Sequence, residues 1–163
     1  MRKIGLCLLL VLLCACQSDW QETENTIYDE MVERIENHTD YIDSSAYFSC
    51  RLVVSSLADD QYQYDVIIDQ PTLNMDDVRA IAIVEGEDSE LFPSIGLEEG
   101  DTCYLYPGYI DQSAHYYEGI RLSGISLQPI QDVKLYISFV NEQTYYEQYI
   151  VLKPMEESND TFR

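Results

Sequence analysis

The chain has 163 residues, with 30 aspartates and glutamates against 9 lysines and arginines and a formal net charge of −21. Phosphate binding relies on Lys and Arg to displace counterions, which excludes nucleic acid as a partner. Anionic headgroups repel the same surface, so charge does not hold this protein to a membrane.

Met1-Arg2-Lys3 is a short basic start, and residues 4–13 are an almost unbroken apolar run. The run closes on Leu13-Cys14-Ala15-Cys16, and Gln17-Ser18-Asp19 follows at once. A basic n-region, an apolar stretch of about 7 to 15 residues and small residues at the cut make a signal peptide. A transmembrane helix needs about 20 apolar residues, more than this segment holds. The segment resembles a bacterial lipoprotein signal peptide, with Leu13-Cys14-Ala15-Cys16 as its lipobox. The resemblance implies cleavage after residues 1–15 and a diacylglyceryl thioether on the sulfur of Cys16. It places the protein on the extracytoplasmic face of the cell membrane, held through lipid. One acyl chain anchors a protein marginally and two anchor it stably. Gln17 rather than Asp follows the lipidated position, which permits outward sorting in a host with two membranes.

Cleavage removes Arg2 and Lys3 from the 9 basic residues, leaving 7 against 30 acidic ones and a net charge of −23. Residues 16–25 read as an acidic spacer that lifts the domain off the membrane, with Trp20 exposed on it. The folded domain is expected over residues 26–155, with a frayed tail over 156–163.

Residues 26–37 read as a helix. Thr26-Ile27-Tyr28-Asp29 carries a capping signal in which Thr accepts from free backbone N–H groups. Ile27, Met31 and Ile35, with Tyr28 and Val32 beside them, form one apolar stripe. Glu30 and Arg34 pair one turn apart. The stripe is expected to cover an edge or end of the sheet that follows.

From Ser45 the period changes from four to two. Alternating runs appear at residues 48–54, 62–69, 120–123, 133–139 and 146–152, and a short one holds Cys103 and Leu105. Residues 78–84 are apolar on both faces, as in a doubly covered strand. Turn signals fall between the runs at Ala58-Asp59-Asp60, Gln70-Pro71, Glu99-Gly100-Asp101, Pro107-Gly108 and Gln128-Pro129, and Asn141-Glu142-Gln143 reads as a hairpin loop. The fold expected is mainly β: an antiparallel immunoglobulin-like β-sandwich of about seven strands with one N-terminal α-helix. A small closed barrel is the alternative. The Cys…Trp…Cys spacing of true immunoglobulin domains is missing.

Of five cysteines, Cys7 and Cys14 leave with the signal and Cys16 takes the lipid. Cys50 and Cys103 remain, both on apolar-facing strand positions. An exported pair can form a disulfide, so a buried bridge and two separate thiols are both compatible with the pattern.

Catalytic constellations are missing. There is no Gly-x-Ser-x-Gly elbow, no His-Glu-x-x-His pair and no phosphate-cradling glycine loop. His38 and His115 read as solvated loop residues, and a Cys103–His115 nucleophile–base pair lacks an orienting group. Asp59-Asp60, Asp76-Asp77, Glu85-Gly86-Glu87-Asp88 and Glu98-Glu99-Gly100-Asp101 offer oxygen ligands, but none has calcium-loop spacing. They read as solvated turns. No cofactor, no metal and no enzyme activity is expected.

Tyrosine is abundant, with 14 in the chain. Tyr104, Tyr106, Tyr109, Tyr116 and Tyr117 cluster around Pro107-Gly108. Tyr joins a large apolar ring to a polar tip and loses little rotamer entropy, as binding surfaces require. This segment, with the loop from Tyr109 to His115, is therefore the candidate binding patch, and cross-strand aromatic packing is the plainer reading. The role expected is a non-catalytic binding or adaptor module for a cell-envelope protein. Capture of a small ligand, a sugar or peptide, is the alternative.

Overall fold

The computed structural model describes residues 19–84, 92–98, 100–130 and 132–154, with backbone alone for residues 19–27. Cys16, the signal segment, the acidic turn at residues 85–88 and the tail 156–163 lie outside them. In chain order the elements are α1 (Asp19–Glu36), β1 (Ser49–Ser56), β2 (Tyr62–Asp69), β3 (Asp76–Val84), β4 (Ser94–Ile95) and β5 (Tyr104–Leu105). After a 3-10 turn at Gln112–Ala114 come β6 (Tyr116–Tyr117), β7 (Gly119–Ser126), β8 (Val133–Asn141) and β9 (Thr144–Leu152).

The strands form two antiparallel sheets, β1-β2-β7 and β4-β3-β8-β9, with β5 and β6 as a short parallel pair. Counting long strands, the first, second and fourth share one sheet and the third, fifth and sixth share the other. That is the A-B-E and C-F-G arrangement of an immunoglobulin-like sandwich. All seven expected strands are present, and β4 and β6 are additional.

Alternation explains the pairing. Leu52, Val66 and Leu122 sit opposite one another across β1, β2 and β7, as do Cys50, Ile68 and Ile120. From the other sheet Ala82, Leu135 and Ile150 form a matching row. These rows meet in one core with Val78, Ala80, Ile137 and Phe139. A slip of one residue would turn every such side chain outward, so the apolar pattern pins the register.

The outer face of β1-β2-β7 is wet. Arg51 pairs with Asp69 at 2.6 Å, and Asp65 accepts a 2.5 Å hydrogen bond from Ser123. The outer face of the four-stranded sheet is dry over the part that α1 covers with apolar side chains. Ile81, Ile83, Tyr136 and Tyr149 are buried there against Ile35, with Tyr28, Met31 and Val32 of α1 packed alongside. The molecule therefore has three layers: helix, four-stranded sheet, three-stranded sheet. This accounts for β3 being apolar on both faces.

Three expectations need correction. Arg34 pairs with Glu147 of β9 rather than with Glu30 one turn before it. The helix begins at Asp19, so residues 19–25 are helical rather than an extended spacer. Its stripe covers the face of the second sheet, not an edge or end. Its stop is as expected: the Asn37 backbone N–H and side-chain amide both donate to the Glu33 carbonyl. Among the described residues no helix is long and apolar enough to cross a membrane.

Candidate functional site

The tyrosine segment is built on the start of β3. Met75 and Leu105 exchange backbone hydrogen bonds at 2.9 and 3.0 Å, and the Val78 N–H donates to the Cys103 carbonyl. These bonds bury Cys103 and Leu105 and turn Tyr104 and Tyr106 outward. Pairing of β5 with β6 sets Tyr104 beside Tyr116 and Leu105 beside Tyr117. Four of the five predicted tyrosines thus share one surface. Tyr117 does not: it packs against the core.

The four rings touch in a chain of contacts. Tyr104 and Tyr116 are stacked at 4.7 Å. Tyr106 and Tyr109 each meet Tyr116 edge to face, at 4.9 and 5.3 Å. Offset and edge-to-face pairs of this kind contribute about 0.5–1.5 kcal/mol each beyond burial. The Tyr106 hydroxyl donates to Asp76 Oδ1 at 2.7 Å, and that carboxylate pushes the phenol's pKa well above its usual value. Tyr109 is 48% exposed and its neighbour Ile110 58%.

The loop carrying them is closed by its own hydrogen bonds. Asp111 and Tyr116 bond to each other in both directions, at 3.1 and 2.9 Å. Asp111 Oδ1 accepts from the N–H and the hydroxyl of Ser113, which holds the carboxyl below its usual range. His115 ends the 3-10 turn at φ 62, and Gly108 takes φ 66 in the preceding turn. The aromatic surface is therefore preorganised, so binding orders little new chain.

Beside the rings, Pro107 and Gly108 form one wall of an open cleft of about 310 Å³. Asp69, Gln70, Pro71 and Glu118 form the rest. Asp69 Oδ1 is buried there without a hydrogen-bond partner, while Oδ2 holds Arg51. Tyrosine faces beside Asp76, Asp111 and Glu118 suit a cationic, partly apolar contact, because a ring's negative face attracts Lys or Arg.

The remaining candidates separate. Cys50 and Cys103 are free thiols, so the possible bridge is not formed. Burial pushes the Cys50 thiol up to about 11 and the Cys103 thiol up to about 12. Both stay protonated at neutral pH, when the thiolate is the reactive form. Among the described residues no hydrogen bond joins Cys103 to His115. His38, expected as a solvated residue, instead stacks on Tyr149 at 3.6 Å and meets Tyr41 edge to face. His115 is exposed.

Of the acidic turns, Asp59-Asp60 takes positive φ at both residues. Asp101 accepts from the Gly96 N–H. Among the described residues no three His, Cys, Asp or Glu side chains gather as a metal site would need. Sequence reading included Ile110 only as part of the loop from Tyr109 to His115, and it passed over Asp76 as part of the tyrosine surface.

No protein-family model, curated protein or solved structure matches the chain.

Proposed function

We propose that this chain is a lipid-anchored, extracytoplasmic binding module with no catalytic role. It docks a cell-envelope protein through the tyrosine surface of residues 104–116. The address rests on the lipobox ending at Cys16, whose lipid is the membrane contact. The observation that carries the role is the four-ring tyrosine cluster, ordered before any partner arrives, with Tyr109 and Ile110 at its exposed rim. Exposed aromatic anchors in a rigid frame are what interface hot spots are made of.

The neighbouring carboxylates indicate the partner's chemistry. A basic loop with an apolar or aromatic residue would meet ring faces and Asp76, Asp111 and Glu118 together. The net charge of the chain steers such a partner in and repels nucleic acid.

Two measurements test this. Cells fed a traceable fatty acid should label the protein, and a Cys16→Ser variant should stay unlabelled. Mild crosslinking in intact cells followed by purification should recover an envelope protein with the native chain. Tyr109→Ala with Ile110→Ser should lose most of it. Recovery of the same proteins with that variant contradicts the docking surface.

The cleft of about 310 Å³ at Pro107-Gly108 favours a second reading, capture of a short peptide or sugar. Melting shifts across a glycan and peptide panel distinguish it from protein docking.

A further inference from the structure

Between α1 and the outer face of the second sheet lies a pocket of about 200 Å³. Glu30, Met31 and Arg34 of α1 form its roof, and Arg79, Tyr136, Ser138 and Tyr145 its floor. Elsewhere this layer is closed by apolar side chains; here it is open and polar. The volume exceeds the roughly 150 Å³ that holds a benzene molecule in an engineered cavity.

Register explains the floor. Arg79 of β3 lies opposite Ser138 of β8, and Ser138 opposite Glu147 of β9. A cation, a hydroxyl and an anion thus form one row across three strands on the face that α1 covers. Arg34 closes one end by pairing with Glu147 at 3.2 Å. The Tyr136 hydroxyl is engaged with Tyr145 at 3.0 Å and Glu147 at 3.2 Å.

Three groups are left over. Ser138 is 1% exposed, and its hydroxyl makes no hydrogen bond of good geometry, though it lies close enough to the Tyr136 hydroxyl to act against the rise that burial imposes on that phenol's pKa. A buried hydroxyl without a well-formed hydrogen bond is destabilising, so folding does not explain it. Among the described residues, neither Arg79 nor Glu30 has an ion-pair partner. Among the described residues the pocket therefore presents an exposed cation without an ion pair and a buried hydroxyl on its floor, and an exposed carboxylate without an ion pair on its roof.

We infer that this pocket binds a small zwitterion, a molecule with one carboxylate and one ammonium group, the chemistry of a free amino acid. The carboxylate takes the Arg79 guanidinium and the Ser138 hydroxyl. The ammonium takes Glu30, and Met31 and the tyrosine rings bound the side chain. A guanidinium suits a carboxylate because its planar fork donates in parallel. The site is on the opposite face of the second sheet from the sandwich core and does not depend on the tyrosine surface.

The test is calorimetric titration of the full-length chain in detergent with glycine, alanine, serine, γ-aminobutyrate, acetate and methylamine. At least one zwitterion should bind, and acetate and methylamine at least tenfold more weakly. Arg79→Met and Glu30→Gln should each weaken binding at least tenfold, with circular dichroism unchanged. Ser138→Ala should lose binding yet raise the melting temperature of the free protein, a combination that a merely structural serine does not give. Binding of acetate as tightly as every zwitterion overturns the ammonium half. No heat from any compound at millimolar concentration, or native affinity in Arg79→Met, overturns the site.

Discussion

Phe139 is enclosed by rings. Tyr146 stacks on it at 5.0 Å, and Tyr47 and Phe48 meet it edge to face. It is fully buried between the two sheets. Removing so large a side chain forfeits its transfer energy and leaves a cavity that its ring neighbours cannot fill. Phe139→Ala should therefore cost about 3–5 kcal/mol of stability in urea unfolding, and Phe139→Leu clearly less. Equal losses for the two would show that the ring packing is not specific.

Titratable residues in these cores give a second prediction at the same scale. Cys50, Cys103 and Tyr149 all have pKa values raised by burial, Tyr149 to about 12 from 10.0. Each is neutral when folded and ionises more readily when unfolded. Their contribution is complete below the unfolded values and is lost as pH rises through the folded ones. Stability should fall from pH 9 toward pH 12, and Cys103→Ala should flatten the early part of the decline. A stability curve level across that range contradicts the burial of these groups. The tyrosine surface was legible in the sequence as a local density of one residue type. The placement of Tyr117 was not, because adjacent strand residues face opposite ways and only the β5–β6 pairing decides which tyrosine turns inward.

Among elements, the long strands were readable because period-two alternation runs over seven or more residues in most of them. Strands β4 and β6 have two residues each, too few to show a period. The apolar stripe of α1 was visible, but a stripe does not say which surface it covers. The signal that could have told was β3, whose Ile81 and Ile83 need a second cover. Arg79 interrupts that apolar strand and Ser138 the next, and both lie in the polar pocket under the helix. The pocket was invisible because it joins three elements far apart in the chain.

The β8–β9 hairpin makes an element-scale prediction. Asn141 pairs with Thr144, so Glu142 and Gln143 alone form the loop, with φ of 46 and 73. Both positions are left-handed, a geometry that favours Asn-Gly. Replacing Glu142→Asn and Gln143→Gly should raise stability by about 0.5–1 kcal/mol, read as a higher melting temperature. A decrease would mean that the two native side chains hold the turn by contacts of their own. The opposite sign holds at Gly96, where an added Cβ would stand 2.3 Å from the Val78 carbonyl oxygen at φ 72. Gly96→Ala should destabilise.

At the scale of the whole molecule, three layers built on one central sheet carry a large excess of negative charge. Self-repulsion destabilises the compact state and salt screens it. The ion pairs among the described residues involve partly exposed side chains and contribute little to oppose this. The melting temperature should therefore rise as sodium chloride is added at neutral pH. A fall would show that surface ion pairs outweigh the net charge.

The architecture sets an ordered aromatic rim between β5 and β6 apart from a wet sheet face between Arg51 and Asp65 that carries no such rim, and the function we propose adds a lipid at Cys16. The most direct measurement compares two of these places in living cells. A photo-crosslinking amino acid is placed at position 109 in one strain and at position 125, an exposed residue of β7, in another. Irradiation should yield a discrete adduct with an envelope protein from position 109 and not from position 125, and Cys16→Ser should diminish it. Equal adducts from both positions, or one from position 125 alone, would contradict docking through the tyrosine surface.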